Sequence, residues 1–552
     1  ESVRETVNRK LNPKPKINLF DELTKDMKPE EKVEETPSAN ESVKEEPKQP
    51  VKEDIVPETN NITPEPIWTM PTEEIEPVKE PKEENPVWTI PVVEQAKEEP
   101  IKDEEINKIN LENTNNEKNT WYNYEDKRWA NAITKDNDGN ITAYWVWIPR
   151  FAYRIHKDDE GNKTEKFDIV FLIGTTDNYY DDNGNLKVAQ RQKEIGQKIN
   201  TDGETYTVHP AFTNETKINY VNGGWKKELT GIWVAKFEAG FYDKGTDLKK
   251  ISSKVEYTQA EVYTASNKNE SARNYLNGKY GSTKTNITYP VFLGEKYSMN
   301  YMNHSDAYSI SRALTDDGNV YGLDKKMTDS HLMKNSEWGA VAYLGQSKYG
   351  LDGKNIRINN LNVEDDNNFV YAMTGYSAKN DDDENTKEIK NVWKWNEEDG
   401  TVASSTGNVY GIYDLSGGVW ERTASIINNG NDNLNKYGKS LMNALNNGDS
   451  SAYVTVYPKG ENEGEGLEDA GKNNYEKSNI YGDAIRETSI AGVGQTSWYN
   501  DLSCFVGSYN PLFVRGGYCW DNKKAGLFAF YRFQGGCGSF YSTGFRSVLV
   551  VQ

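Results

Sequence analysis

The chain has 552 residues, a formal net charge of −21 at pH 7 and 12% aromatic side chains. That length exceeds one average domain, and an acidic balance with no clustered basic surface excludes a nucleic-acid backbone as partner. No run of 18 apolar residues occurs, so no segment reads as a membrane-spanning helix.

Residues 1–120 contain no Gly, hold 15 of the 20 Pro, and carry 30 Asp+Glu against 17 Lys+Arg, a balance of −13. Such a segment buries too little apolar area to offset the entropy of ordering, and it is expected to be a disordered, acidic, Pro-rich stalk. Proline spacing and charge repulsion favour an extended, partly polyproline II tether. Within it, Pro66-Ile67-Trp68-Thr69-Met70-Pro71 and Pro86-Val87-Trp88-Thr89-Ile90-Pro91 repeat one pattern 20 residues apart. Either this is a chance echo in a biased segment, or Trp68 and Trp88 are anchors of linear docking motifs for a partner groove.

Residues 121–552 hold all 44 Gly, all of the Tyr and 12 of the 14 Trp, ample for a core. Aromatic and β-branched runs on either side of Asn137-Asp138-Gly139-Asn140 predict a hairpin. Related turns recur at Asp159-Glu160-Gly161-Asn162, Asp181-Asp182-Asn183-Gly184 and Asp316-Asp317-Gly318-Asn319. Calcium loops share that acidic spacing but need a Glu at the twelfth position between two helices, so hairpins are the better reading and no metal is expected. Helical periodicity is scarce, the better candidates being 257–275, 299–313, 336–344 and 437–446. Residues 359–391 and 428–474 read as long loops. No nucleophile elbow, P-loop or dinucleotide fingerprint occurs, and His156, His209, His304 and His331 lack ligand spacing.

The last stretch is the most distinctive. Of the 26 residues from Tyr518 to Thr543, eight are aromatic and four are Gly, a palette shared by recognition loops and by ordinary buried strands with glycine turns. Cys504, Cys519 and Cys537 lie there too, and one bridge with a free thiol or three free thiols are both open.

Four segments resemble, in chain order, the formylglycine-generating-enzyme/sulfatase-modifying family. They are Leu229-Thr230-Gly231-Ile232-Trp233-Val234-Ala235-Lys236-Phe237-Glu238, the run Asn335-Ser336-Glu337-Trp338-Gly339-Ala340-Val341-Ala342-Tyr343, the run Asn408 to Glu421 containing Asp414-Leu415-Ser416-Gly417-Gly418-Val419-Trp420-Glu421, and the pair Arg515-Gly516-Gly517 with Gly544-Phe545-Arg546. The resemblance implies an α+β, C-type-lectin-like (formylglycine-generating-enzyme-like) head of mostly short strands and long loops with a few helices. In it Asp414, Gly417, Gly418, Trp420, Arg515, Gly516, Gly517, Phe545 and Arg546 are scaffold. Arg515 and Arg546 are expected to pair with carboxylates such as Asp414 or Glu421. The enzymes of that family place two cysteines at the seventh and twelfth positions counted from the Arg of "RGG", which here are Asp521 and Gly526. Without thiols in that register the copper-dependent oxidation has no ligands, so no enzyme activity and no cofactor are expected.

The segment Phe513 to Cys537 resembles the variable region of diversity-generating-retroelement target proteins, in which a C-type-lectin fold displays a diversified ligand-binding patch. The resemblance makes 513–552 the variable region. Its expected contact residues are Tyr518, Cys519, Asp521, Tyr531, Arg532, Phe533, Gly536, Gly538, Phe540 and Tyr541, set in a frame that adds Ala525, Gly526, Leu527, Phe528 and Phe530. Trp520 and Gln534 depart from the pattern, since adenine replacement in an asparagine codon does not reach either residue. The implied function is non-enzymatic display, binding a protein or glycan ligand from a bacterial cell surface or extracellular position. Alternatives are a phage tail or virion adhesin and, less well supported by the cysteine register, a formylglycine-generating-type oxidoreductase.

Overall fold

A computed structural model describes residues 122–551, apart from 193–197, 202, 215–223, 243–288, 301, 365–369, 379–391, 447–449, 461–466 and 533–541. One turn chemistry builds its first strands. Strands β1 (Asn131–Lys135) and β2 (Ile141–Pro149), β3 (Phe151–Lys157) and β4 (Lys163–Phe171), and β5 (Tyr179–Tyr180) and β6 (Leu186–Lys187) are three antiparallel hairpins. At each tip the leading Asp accepts two backbone N–H groups with one oxygen: Asp136 from Asp138 and Asn140 (both 2.9 Å), Asp158 from Glu160 (3.1 Å) and Asn162 (2.7 Å), Asp181 from Asn183 (3.0 Å) and Asn185 (2.8 Å). The side chain thus satisfies amides that strand pairing leaves open. The fourth expected hairpin turn is not one. Asp316 to Asn319 follows a 3-10 turn, Ala313–Thr315, so no strand precedes it to pair.

Further along lie β7 (Gln190–Arg191), β8 (Lys198–Thr201), β9 (Glu204–Val208) and β10 (Gly231–Ala235), then helix α1 (His304–Arg312), β11 (Thr328–Leu332) and helix α2 (Asn335–Gly345). Apart from small two-stranded ribbons, the elements that follow are β12 (Trp420–Ile427), helices α3 (Asp432–Tyr437), α4 (Lys439–Asn446) and α5 (Ser450–Tyr453), β13 (Thr455–Tyr457), α6 (Leu467–Lys477), β14 (Val493–Gly494), β15 (Ser503–Cys504), β16 (Leu512–Gly516), β17 (Gly526–Tyr531), β18 (Thr543–Phe545) and β19 (Ser547–Val551). Helices were expected near α1, α2 and α4 and are found there, while 257–275 falls outside the described residues. The expected loop over 428–474 is instead largely helical, because short helices docked on the body need little periodicity of their own.

Three sheets organise the fold. One runs β1-β2-β10-β19-β11, a second β4-β3-β9-β8-β7, and a third β13-β12-β16-β17-β15-β14 with β18 also on β12. The fold is sheet-rich with few helices. Helix α2 sits among these sheets and is buried at every position. Its Trp338 indole donates to Leu527 O on β17 (2.8 Å), and its Tyr343 ring stacks on Phe167 of β4 with centroids 3.8 Å apart. Gly339 lets the helix approach another backbone closely, since a Cβ there would stand 2.7 Å from Gly482 C and 2.9 Å from Asp483 Cα.

A buried charge network locks β11 to the start of α2. His331 lies between Asp329 (Nδ1 to Oδ1, 3.2 Å) and Glu337 (Nε2 to Oε1, 2.8 Å), Arg312 contacts Asp329 at 2.8 Å, and Lys334 Nζ donates to Ala452 O at 2.7 Å. Burial alone would lower the pKa of His331, but the charge of Glu337 and the hydrogen bonds to Asp329 and Glu337 outweigh it and raise the value above 6.5. Burial raises Asp329 and Glu337, yet His331 and the neighbouring cations hold both below their ordinary 3.8 and 4.5. The histidine's contribution is therefore complete below its unfolded value and fades as pH rises through the raised one. The carboxylates contribute above their unfolded values, and that part fades as pH falls through the lowered ones.

Two outcomes are expected. Urea midpoints measured from pH 4 to 9 should decline on the alkaline side, and His331→Gln should lessen that decline while costing about 2–4 kcal/mol at pH 6. Gly339→Ala, a change that favours an isolated helix by about 1 kcal/mol, should here destabilise by roughly 1–3 kcal/mol in the same assay because the backbone of Gly482 must move.

Candidate functional site

The candidate site is the segment between the Arg515 and Arg546 motifs, and strand β12 brings its ends together. Glu421 lies opposite Arg515 on β16 and opposite Gly544 on β18, and Arg422 opposite Phe545. Just before it, Gly417 and Gly418 take φ +81 and +66, conformations costly for any residue with a Cβ. A Cβ on Gly417 would meet Ile358 Cγ1 at 2.6 Å, and one on Gly418 would meet Glu238 Oε2 at 2.8 Å. Trp420, fully packed, begins the strand.

Beneath this junction lie three buried carboxylates, of which Glu421 is bonded to the Arg546 guanidinium and Asp414 feels its charge. Arg546 reaches Glu421 (Nη2 to Oε1, 2.6 Å; Nε to Oε2, 3.0 Å) and donates to Ala235 O and Tyr413 O, each at 2.7 Å. Asp414 accepts from Gly375 N and Asn359 Nδ2, both 2.8 Å, and Glu238 accepts from Ser298 Oγ and from Val419 N. Burial pushes Glu421 up to about 7 against the pull of Arg546. Burial and the neighbouring carboxylates raise Glu238 well above its usual range, and burial raises Asp414 as well. Burial thus favours the protonated forms of these groups more than solvent would.

Arg546 meets the expected partner, Glu421, but Arg515 does not pair with Asp414 or Glu421. Its guanidinium donates to the carbonyls of Asp483 (2.8 Å), Ala484 (2.9 Å) and Ala529 (3.0 Å) and lies 5.4 Å from the Trp338 ring centroid. Burial lowers it to about 10. Ala484 adopts φ +53, a strained value for alanine, in a loop whose carbonyls converge on that guanidinium. The frame residues Gly516, Gly517, Ala525, Gly526, Leu527, Phe528, Phe530 and Phe545 are buried throughout.

The expected contact residues divide. Tyr518 and Cys519 are 2% and 1% exposed, packed with Val419, Trp420, Val514 and Ala529. Their placement corrects the expectation that they face a ligand, because Cys519 N bonds to Gly418 O (2.9 Å) and pins this stretch onto the β12 turn. Burial pushes the Cys519 thiol well up, opposite to a reactive thiolate. Arg532 is likewise buried, beside Gly471 of α6. Asp521 and Tyr531 are half-buried, Asp521 Oδ2 accepting from Tyr518 N (2.8 Å) and the Tyr531 ring lying 5.4 Å from Trp420. Burial raises Asp521 to about 6. Phe533, Gly536, Gly538, Phe540 and Tyr541 lie outside the described residues, as do Gln534, Cys537, Trp68 and Trp88.

Sequence reasoning set Trp520 aside, yet its side chain is 40% exposed, at the start of a turn that also presents Asn522 and Lys523. Residue type gave no signal for it, and only the burial of Tyr518 and Cys519 ahead of the 3-10 turn Asn522–Lys524 sets it apart. Among the described residues no group of three or more His, Cys, Asp or Glu is placed to hold a metal ion, and no helix is long and apolar enough to cross a membrane. Models of known protein families give no match to the chain, and no curated protein matches it either.

Replacing Arg546 by Met leaves Glu421 without its bonded cation and should cost about 3–5 kcal/mol at pH 8. The loss, measured by urea unfolding, should be smaller at pH 5, where Glu421 can take a proton.

Proposed function

We propose that this chain is a non-enzymatic display protein whose head has a C-type-lectin-like fold and whose face between Arg515 and Arg546 recognises a protein or glycan ligand, in the manner of diversity-generating-retroelement variable proteins. The observation that carries the reading is the register on β12, where Glu421 stands between Arg515 and Gly544. Both ends of the intervening segment are clamped to one residue of one strand, so exposed side chains within it can change while the sheets stay as they are. Buried hydrogen bonds and ion pairs hold the clamp, and rigid aromatic groups occupy the rim.

In this reading Trp520, Asn522, Lys523 and Tyr531 meet the ligand, while Tyr518 and Cys519 support them from below. Exposed aromatic and cationic groups around a rigid base have the composition of binding hot spots. Burial disfavours the thiolate of Cys519. The acidic N-terminal segment would hold the head away from a cell surface or virion.

The full chain, labelled and applied to arrayed glycans and to bacterial surface proteins, should be captured by a defined partner. Combined Trp520→Ala, Lys523→Ala and Tyr531→Ala should weaken that capture at least about 100-fold, the effect of losing roughly 2.7 kcal/mol, in a variant whose circular dichroism and cooperative unfolding show it still folded. Undiminished capture by a folded triple variant would place the recognition surface elsewhere.

A further inference from the structure

The β5–β6 hairpin is sorted by face. On its inner side Leu172 and Tyr179 are buried with Ala152, Ile199 and Val208. Its outer side is also apolar but uncovered among the described residues: Tyr180 is 60% exposed, Leu186 51% and Val188 69%, with Ile173 exposed beside them. Tyr180 and Leu186 are directly paired across the hairpin, so their side chains share a face, and Val188 follows Leu186 by two residues. Four of the ten large apolar side chains exposed among the described residues thus lie on this one hairpin, a concentration that marks an interaction surface.

The described chain begins beside that surface. Tyr122 packs on Tyr124 (ring centroids 6.0 Å) and Tyr124 on Phe171 (5.3 Å), and Phe171 leads straight into Leu172 and Ile173. Lys348, which feels the charge of Glu125, contacts Asp182 at the hairpin tip at 2.8 Å. The described chain therefore begins near the hairpin, and the sequence before Tyr122 includes an apolar hexapeptide, Pro86-Val87-Trp88-Thr89-Ile90-Pro91, among charged residues.

We propose that the outer face of the β5–β6 hairpin holds this chain's own Pro86-Val87-Trp88-Thr89-Ile90-Pro91 segment, with Trp88 as anchor against Tyr180, Leu186 and Val188. Trp88 precedes Tyr122 by 34 residues (122 − 88), and even a fully flexible chain of that length has an end-to-end distance of about 30–35 Å, which proline and charge lengthen, so the segment has ample reach to fold back on a surface next to its own attachment point. Tethering of this kind supplies an effective concentration on the order of millimolar, so a single aromatic anchor with two stiffening prolines suffices. The docked segment would shorten the stalk and fix the direction in which it leaves the head.

The test places a photoreactive benzoylphenylalanine at Val87 in the full chain. After irradiation, mass spectrometry should find cross-links within one molecule to residues 173–188. Leu186→Lys should lower their yield at least about tenfold. Trp88→Ala, a change outside the described fold, should do the same and so keeps the test independent of hairpin folding. It should also speed amide exchange at Tyr180 and Leu186 about tenfold. Absence of cross-links to the hairpin, links found only between two molecules, or a yield indifferent to Trp88→Ala would each overturn the proposal.

Discussion

The pairing of Arg546 with Glu421 is the constraint on which the described structure turns. It is buried, reinforced by carbonyls from β10 and from Tyr413, and set where β12, β16 and β18 meet. Removing either partner would strand a charge in a low-dielectric interior, which is dearer than the pair is worth in isolation. Glu238 and Asp414 add acid without adding a cation, and burial favours the protonated form of both. Electrostatics here does less to stabilise the head than to specify which strands may lie together.

Above that base the molecule separates two jobs. Carbonyl acceptors for Arg515 come from a loop distant in sequence, and the indole of Trp338 ties α2 to β17. None of these bonds involves the exposed side chains of Trp520, Asn522 or Lys523. The rim still rests on the frame through rings, Trp520 against Tyr518 at 5.6 Å and Tyr531 against Trp420 at 5.4 Å between centroids, so neighbouring substitutions there are expected to couple.

Much of this organisation was legible in the chain alone, and for physical reasons. Asp-Gly-Asn turns announce hairpins because the Asp carboxylate and a glycine at positive φ are both needed, and three of four such sites form them; Asp316 fails because helix, not strand, precedes it. The glycine pair at 417–418 and the Arg546–Glu421 pair followed from motif residues. Arg515 was misassigned because its partners are main-chain carbonyls, which leave no mark on composition. Tyr518 and Cys519 were placed outside because their residue types suit either side of a sheet, and only the bond from Cys519 N to Gly418 O decides between them. Helix α6 was missed since Ala470, Gly471 and Tyr475 give it too thin an apolar stripe to read as periodic.

The position of β19 has a consequence for how the protein is made. It is the last described strand, yet it lies inside its sheet, hydrogen-bonded to β10 on one side and β11 on the other. More than 300 residues separate Trp233 from its partner Leu549, so the sheet cannot close during synthesis until residue 551 has cleared the ribosome. Loop closure over such a span is slow. The rim segment is made just before that closing strand. A version of it that cannot bring Gly544 and Phe545 back to β12 would leave two sheets unfinished, and the nascent chain itself would act as the inspector of its own recognition face.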